Sequence, residues 1–116
     1  MEKILKIDGK DVVFKSTAGT LLRYRNNFGT DMLKDVINLQ KKLQKVKEDA
    51  SEFDAVDLDT FAKLAWAMAK TANGRIPPIE QWLDNFETFS IYSILPDLLS
   101  LMTDNLKQQQ QITKNV

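Results

Sequence analysis

Glu80, Asp84 and Glu87 stand at i, i+4 and i+7, the spacing that lines three carboxylates along one face of a helix. Such a row supports either an all-oxygen metal site or a general acid paired with a general base. Nothing nearby completes either one. The 116-residue chain has no Cys and no His. That removes thiol nucleophiles, disulfides, the common zinc sets and the usual proton shuttle of neutral pH. No nucleophile motif accompanies the row, so it reads as a solvated face, favoured near a helix N-terminus by the helix dipole. No catalytic, cofactor-binding or metal-binding residue is assigned, and the expectation is a protein that is not an enzyme.

A second cluster is basic: Lys34, Lys41, Lys42, Lys45 and Lys47. Nucleic-acid binding would need interleaved aromatics or a recognition helix, and neither is present. The acidic stretch 48–59 follows at once and cancels the local field. Over the whole chain 16 basic and 16 acidic residues balance, leaving no global attraction for nucleic acid or an acidic membrane. No apolar run approaches the roughly 20 residues of a membrane span. The opening MEKILKIDGKD is charged and alternating, unlike a signal peptide. A soluble, intracellular protein is expected.

Where chemistry is poor, apolar surface is rich. Between Ile76 and Met102, Trp82, Leu83 and Phe86 fall at helical spacing, as do Leu95, Leu98, Leu99 and Met102. Such surface either closes a core or waits for a partner helix, and periodicity alone does not choose. The candidate partner-binding residues are Trp82, Phe86, Leu95, Leu98, Leu99 and Met102, with Phe89 and Tyr92 beside them. Trp66, in an Ala-rich segment, is assigned to the core.

The elements that must position these residues follow from pattern. Leu5, Ile7, Val12 and Phe14 share one parity around Asp8-Gly9, which predicts a hairpin over 3–15 with those four side chains on one face. An isolated hairpin is marginal in water, so that face must lie against helices. Ser16-Thr17 offers caps for a helix bearing Leu21, Leu22, Tyr24 and Phe28, and Gly29 is a natural stop. Thr30 or Asp31 caps a second helix with a seam of Met32, Val36, Leu39, Leu43 and Val46, widened by Leu33 and Ile37. The acidic stretch 48–57 reads as a loop, and Asp57 or Asp59 caps a third helix. Its segment from Phe61 to Ala69 has Lys63 as its one polar residue, so this helix should be the most buried. Asn73-Gly74 ends it, Pro77-Pro78 prepares a helix over about 79–88, and another begins at Ser90. At Pro96 that last helix either kinks or restarts. The fold class is therefore α+β and predominantly α-helical: one domain over 1–106, with an N-terminal hairpin and about five helices in 17–106. A polar tail, 107–116, follows.

The order of these segments resembles a known family. IDGKDVVFK, the small-residue link TAGT, RYRNNFGTDML, the Pro-Pro turn before Trp82-Leu83-Asp84 and the run from Tyr92 to Leu99 are similar to tail assembly chaperones. These serve long, non-contractile-tailed phages and prophages of Gram-positive bacteria. The similarity spans about residues 3–103 through Gly9, Arg23-Tyr24-Arg25, Phe28-Gly29, Trp82-Leu83 and Leu95-Pro96.

The resemblance implies a non-enzymatic protein of the host bacterial cytoplasm. It would coat the tape measure protein, keep it soluble, help bring tail tube subunits onto it, and be absent from the virion. It also implies self-association into rings or spirals, and a longer frameshifted form that recruits the tube protein. Thr113-Lys114-Asn115 can be encoded with a slippery A-AAA-AAC heptamer, where such an extension would join. Two other classes stand beside this one: a small helical prophage DNA-associated regulator reading DNA through 34–47, and a structural head–tail or tail component.

Overall fold

The hairpin turn is built from the two residues best suited to it. Asp8 and Gly9 take φ of 55° and 76°, the pair of positive angles that a two-residue turn matching strand twist requires. They join β1 (Glu2–Ile7) to β2 (Lys10–Lys15), with Leu5 opposite Val12 and Ile7 opposite Lys10. Ile7 and Phe14 are buried, and Leu5 and Val12 half-buried, on one face. The expected parity holds. The computed structural model describes residues 2–46, 55–87 and 90–103; the tail 107–116 and its Thr113-Lys114-Asn115 lie outside them.

Helix α1 (Ala18–Phe28) starts at Thr17, whose N–H donates to Thr20 Oγ1 at 3.0 Å. It stops at Gly29, with φ of 74° and its N–H on the Arg25 carbonyl. Asp31 then caps α2 (Met32–Val46), its Oδ1 accepting from Leu33 N–H at 2.8 Å. Met32, Val36 and Leu39 form the buried part of the expected seam; the side chains of Leu43 and Val46 lie outside the described ones. Ile37 is turned outward.

Helix α3 (Ala55–Ala72) is the axis of the fold, touching β2, α1, α2 and α4. From Phe61 to Ala69 every residue but Lys63 is buried, as an all-round apolar helix must be. It begins before the residues expected to cap it. Asp57 sits inside its first turn, where the positive helix end tolerates a carboxylate, and pairs with Lys42 at 3.6 Å. Of the expected loop, 48–54 lies outside the described residues. At the other end Lys70 Nζ donates to the carbonyls of Gly74 and Ile76.

Helix α4 (Ile79–Leu83) starts after Pro78 and is shorter than the expected 79–88. Asn85 explains the stop: its amide donates to the carbonyls of Gln81 and Trp82, in competition with the helix ladder. The backbone tightens there into three-residue turns, Asn85 N–H to Trp82 O and Phe86 N–H to Leu83 O. A 3₁₀ turn (Ile91–Ile94) leads directly into helix α5, described over residues 95–103 with Pro96 in its first turn. A fresh start at Pro96, not a kink, is what the chain adopts. Among the described residues no helix is long and apolar enough to cross a membrane.

Candidate functional site

The residues singled out for partner binding are mostly inside. Trp82 is 4% exposed, set edge-to-face against Phe14 at 6.5 Å and Phe86 at 5.2 Å. Leu95, Leu98, Leu99 and Met102 are buried in the same core, and Phe86 is half-buried against it. Met102 Sδ accepts a hydrogen bond from Ser16 Oγ at 3.1 Å. Phe89 and the side chain of Tyr92 lie outside the described ones. The physical reason is the hairpin: two strands cannot shield their own apolar face, and α4 and α5 supply the cover together with α3. Trp82, Leu95, Leu98, Leu99 and Met102 therefore serve the core.

The carboxylate row is also broken up. With α4 ending at Leu83, Glu87 falls beyond the helix, and its backbone N–H donates to Asp8 Oδ2 at 2.8 Å. Glu80, Asp84 and Glu87 are all exposed. Among the described residues no three carboxylates are grouped closely enough to hold a metal ion. Asp8 itself is held below its ordinary pKa of 3.8 by hydrogen bonds from Ser90 and the Glu87 amide. In the basic helix, Lys42 is engaged with Asp57, which thins the field a nucleic acid would meet.

Exposed apolar side chains lie on the outer face of the hairpin and between α1 and α2. A groove of about 320 Å³ runs between α1 and the start of α2, lined by Ala18, Leu21, Leu22, Met32 and Leu33 with Arg25 and Asp31 beside them. Leu22 is 61% exposed, and Ile37, one turn on from Leu33, is 46% exposed. The corner that holds this groove is rigidly made. Tyr24, fully buried, donates its hydroxyl to Asp35 Oδ2 at 2.7 Å, and Thr30 Oγ1 donates to the same oxygen at 2.9 Å. Burial first, and then the Asp35 carboxylate, push the Tyr24 phenol well above its ordinary pKa. Phe28 packs edge-to-face on Tyr24 and on Trp66, with the Lys63 ammonium 5.6 Å from its ring centroid.

Helix α1 is tied to α3 by a directional polar chain. Thr71 Oγ1 donates to the Ala67 carbonyl and lies within hydrogen-bond reach of Thr20 Oγ1 at 2.8 Å, while Arg23 Nη1 donates to it at 2.7 Å. Arg23, Tyr24, Phe28 and Gly29 thus fix α1 against its neighbours and end it.

The groove is an apolar floor flanked by one cation, Arg25, and one anion, Asp31. The sequence signal for it was the doublets Leu21-Leu22 and Met32-Leu33. Adjacent helical residues point about 100° apart, so one member of each doublet is left beyond the buried stripe. Set against known proteins, the chain matches no family model, no curated protein and no solved structure.

Proposed function

We propose that this chain is a tail assembly chaperone acting in the cytoplasm of a phage-infected or prophage-bearing bacterium. It binds helical segments of the tape measure protein, keeps them soluble and helps bring tail tube subunits to them. The observation that carries this reading is the open apolar groove of Leu21, Leu22, Met32 and Leu33 on a charge-balanced protein. A helix laid in a groove is held through apolar side chains at i, i+3 and i+4, and a shallow site releases it. Repetition along a long client supplies the strength that one groove lacks. The segment resemblance over 3–103 supports the same reading. The burial of Trp82, Leu95, Leu98, Leu99 and Met102 and the groove between α1 and α2 are why the client contact is proposed at that corner.

The test is co-expression with the tape measure protein of the same gene cluster, scoring soluble client and co-purification. The wild-type chain is expected to solubilise the client. Leu22→Asp, a change at an exposed position, should abolish this while leaving the circular dichroism and thermal melt unchanged. A client that stays insoluble with wild-type protein would remove the chaperone reading and favour the structural-component or DNA-regulator classes. A salt-sensitive shift of duplex DNA would select the last.

A further inference from the structure

The outward face of the hairpin has a regular charge order. Along β1 it reads Glu2, Ile4, Lys6, and along β2 Asp11, Val13, Lys15: acid, apolar, base on each strand. The register pairs Glu2 with Lys15, Ile4 with Val13 and Lys6 with Asp11. Ile4 is 63% exposed and Val13 36%. The two-residue turn makes Ile7 and Lys10 the hydrogen-bonded pair nearest it, so bonded pairs alternate from there. Glu2, Ile4 and Lys6 therefore aim their N–H and C=O groups away from β2, at the outer edge of the sheet. Among the described residues no backbone hydrogen bond meets them there, the turn Ile91–Ile94 lying near β1. Among the described residues no third strand joins the sheet.

We infer that β1 is a self-complementary edge through which two copies of this chain pair antiparallel about a two-fold axis at Ile4. In that register Ile4 meets Ile4 of the second copy, Glu2 meets its Lys6, and Lys6 meets its Glu2. The result is a continuous four-stranded sheet, β2–β1–β1–β2. Its outer face carries a central apolar row, Val13–Ile4–Ile4–Val13. On one side runs the row Asp11–Lys6–Glu2–Lys15, and its symmetry mate on the other. Every lateral neighbour is of opposite charge. Sliding the copies by one bonded pair in either direction leaves charges facing apolar or like groups, which disfavours those registers.

Strand β2 has the same order but a poorer edge. Its last residue, Lys15, turns its carbonyl toward Thr20 Oγ1 at 3.5 Å, and the chain passes at once through Ser16-Thr17 into α1. An open strand edge with two lysines and a glutamate discourages indiscriminate pairing. The same charges select one partner, a second copy in one register. This inference stands on the hairpin alone and is independent of the chaperone reading.

The chain lacks cysteine, so a single introduced thiol reports the axis. In Ile4→Cys the two thiols would sit on opposed residues with Cα atoms about 5.5 Å apart, within disulfide reach. Mild oxidation is expected to give a covalent dimer from Ile4→Cys and far less from Val13→Cys. In sedimentation velocity the wild-type chain should show concentration-dependent dimerisation, weakened at least tenfold by Lys6→Glu. The fourfold exchange Glu2→Lys, Lys6→Glu, Asp11→Lys, Lys15→Glu keeps every pair complementary within and between hairpins. It should restore self-association yet fail to mix with wild type, with near-ultraviolet circular dichroism confirming that each variant is folded. A wild-type chain that stays monomeric at millimolar concentration would overturn the inference. So would crosslinking that favours Val13→Cys, or a fourfold variant that pairs freely with wild type.

Discussion

Tyr24 shows how one side chain is asked for two properties at once. Its ring fills the corner between α1 and α2, while its hydroxyl must find a partner because it is buried. Asp35 provides that partner and also receives Thr30, so the carboxylate keeps one hydrogen bond when the phenol is removed. Tyr24→Phe is expected to cost about 1–2 kcal/mol at pH 7, measured by urea denaturation. The pH dependence has a definite sign. The phenol's folded pKa lies above its ordinary value of 10.0, so above that pH the unfolded chain binds fewer protons than the native one and stability falls. The gap between wild type and Tyr24→Phe should therefore narrow as pH rises past 10. A gap that widens would mean that the ionised phenol is stabilised in the fold.

Elements were legible in the sequence wherever a single local rule governed them. Asp8-Gly9 specified the hairpin and its register, and Gly29 specified the end of α1, because positive φ is costly for residues with a Cβ. At Gly29 a Cβ would meet nothing within 4 Å, so the penalty is of backbone origin alone. Gly29→Ala should cost about 1 kcal/mol, lowering the melting temperature by several degrees, with Gly29→Asn milder since Asn tolerates the left-handed region. Equal melts for wild type and Gly29→Ala would show that α1 ends for some other reason. The misread boundaries were those where two rules competed. Around Asp57 a capping residue was compatible with a first-turn position, and at Asn85 a side-chain amide outbid the helix ladder that the apolar spacing favoured.

At the scale of the molecule, the fold class followed from patterning, but the inside and outside of the apolar clusters did not. Trp82, Leu95, Leu98, Leu99 and Met102 have the periodicity of a docking face, and only the need of the hairpin for cover assigns them inward. Leu22 and Leu33 have no better hydrophobic credentials, yet they remain at a groove because α1 and α2 had already met through Tyr24, Phe28 and Met32. Which stripe is left over is a property of packing as a whole, and no window of sequence contains it. The same wholeness shapes how the chain is made. The first sixteen residues find their partners far downstream: Asp8 accepts from the Glu87 amide, 79 positions away, and Ser16 donates to Met102, 86 away. Phe14 has its edge-to-face neighbour at Trp82. Loop closure over such spans comes late in folding, so during synthesis the earliest-made segment waits longest for its cover. A chain stopped at residue 87 should lose the cover that residues 90–103 give the hairpin, bind a hydrophobic dye and weaken the near-ultraviolet signal of Trp82. A chain cut short of Met102 thus betrays itself by an uncovered apolar face, since α5 is the last element to close over the chain's own beginning.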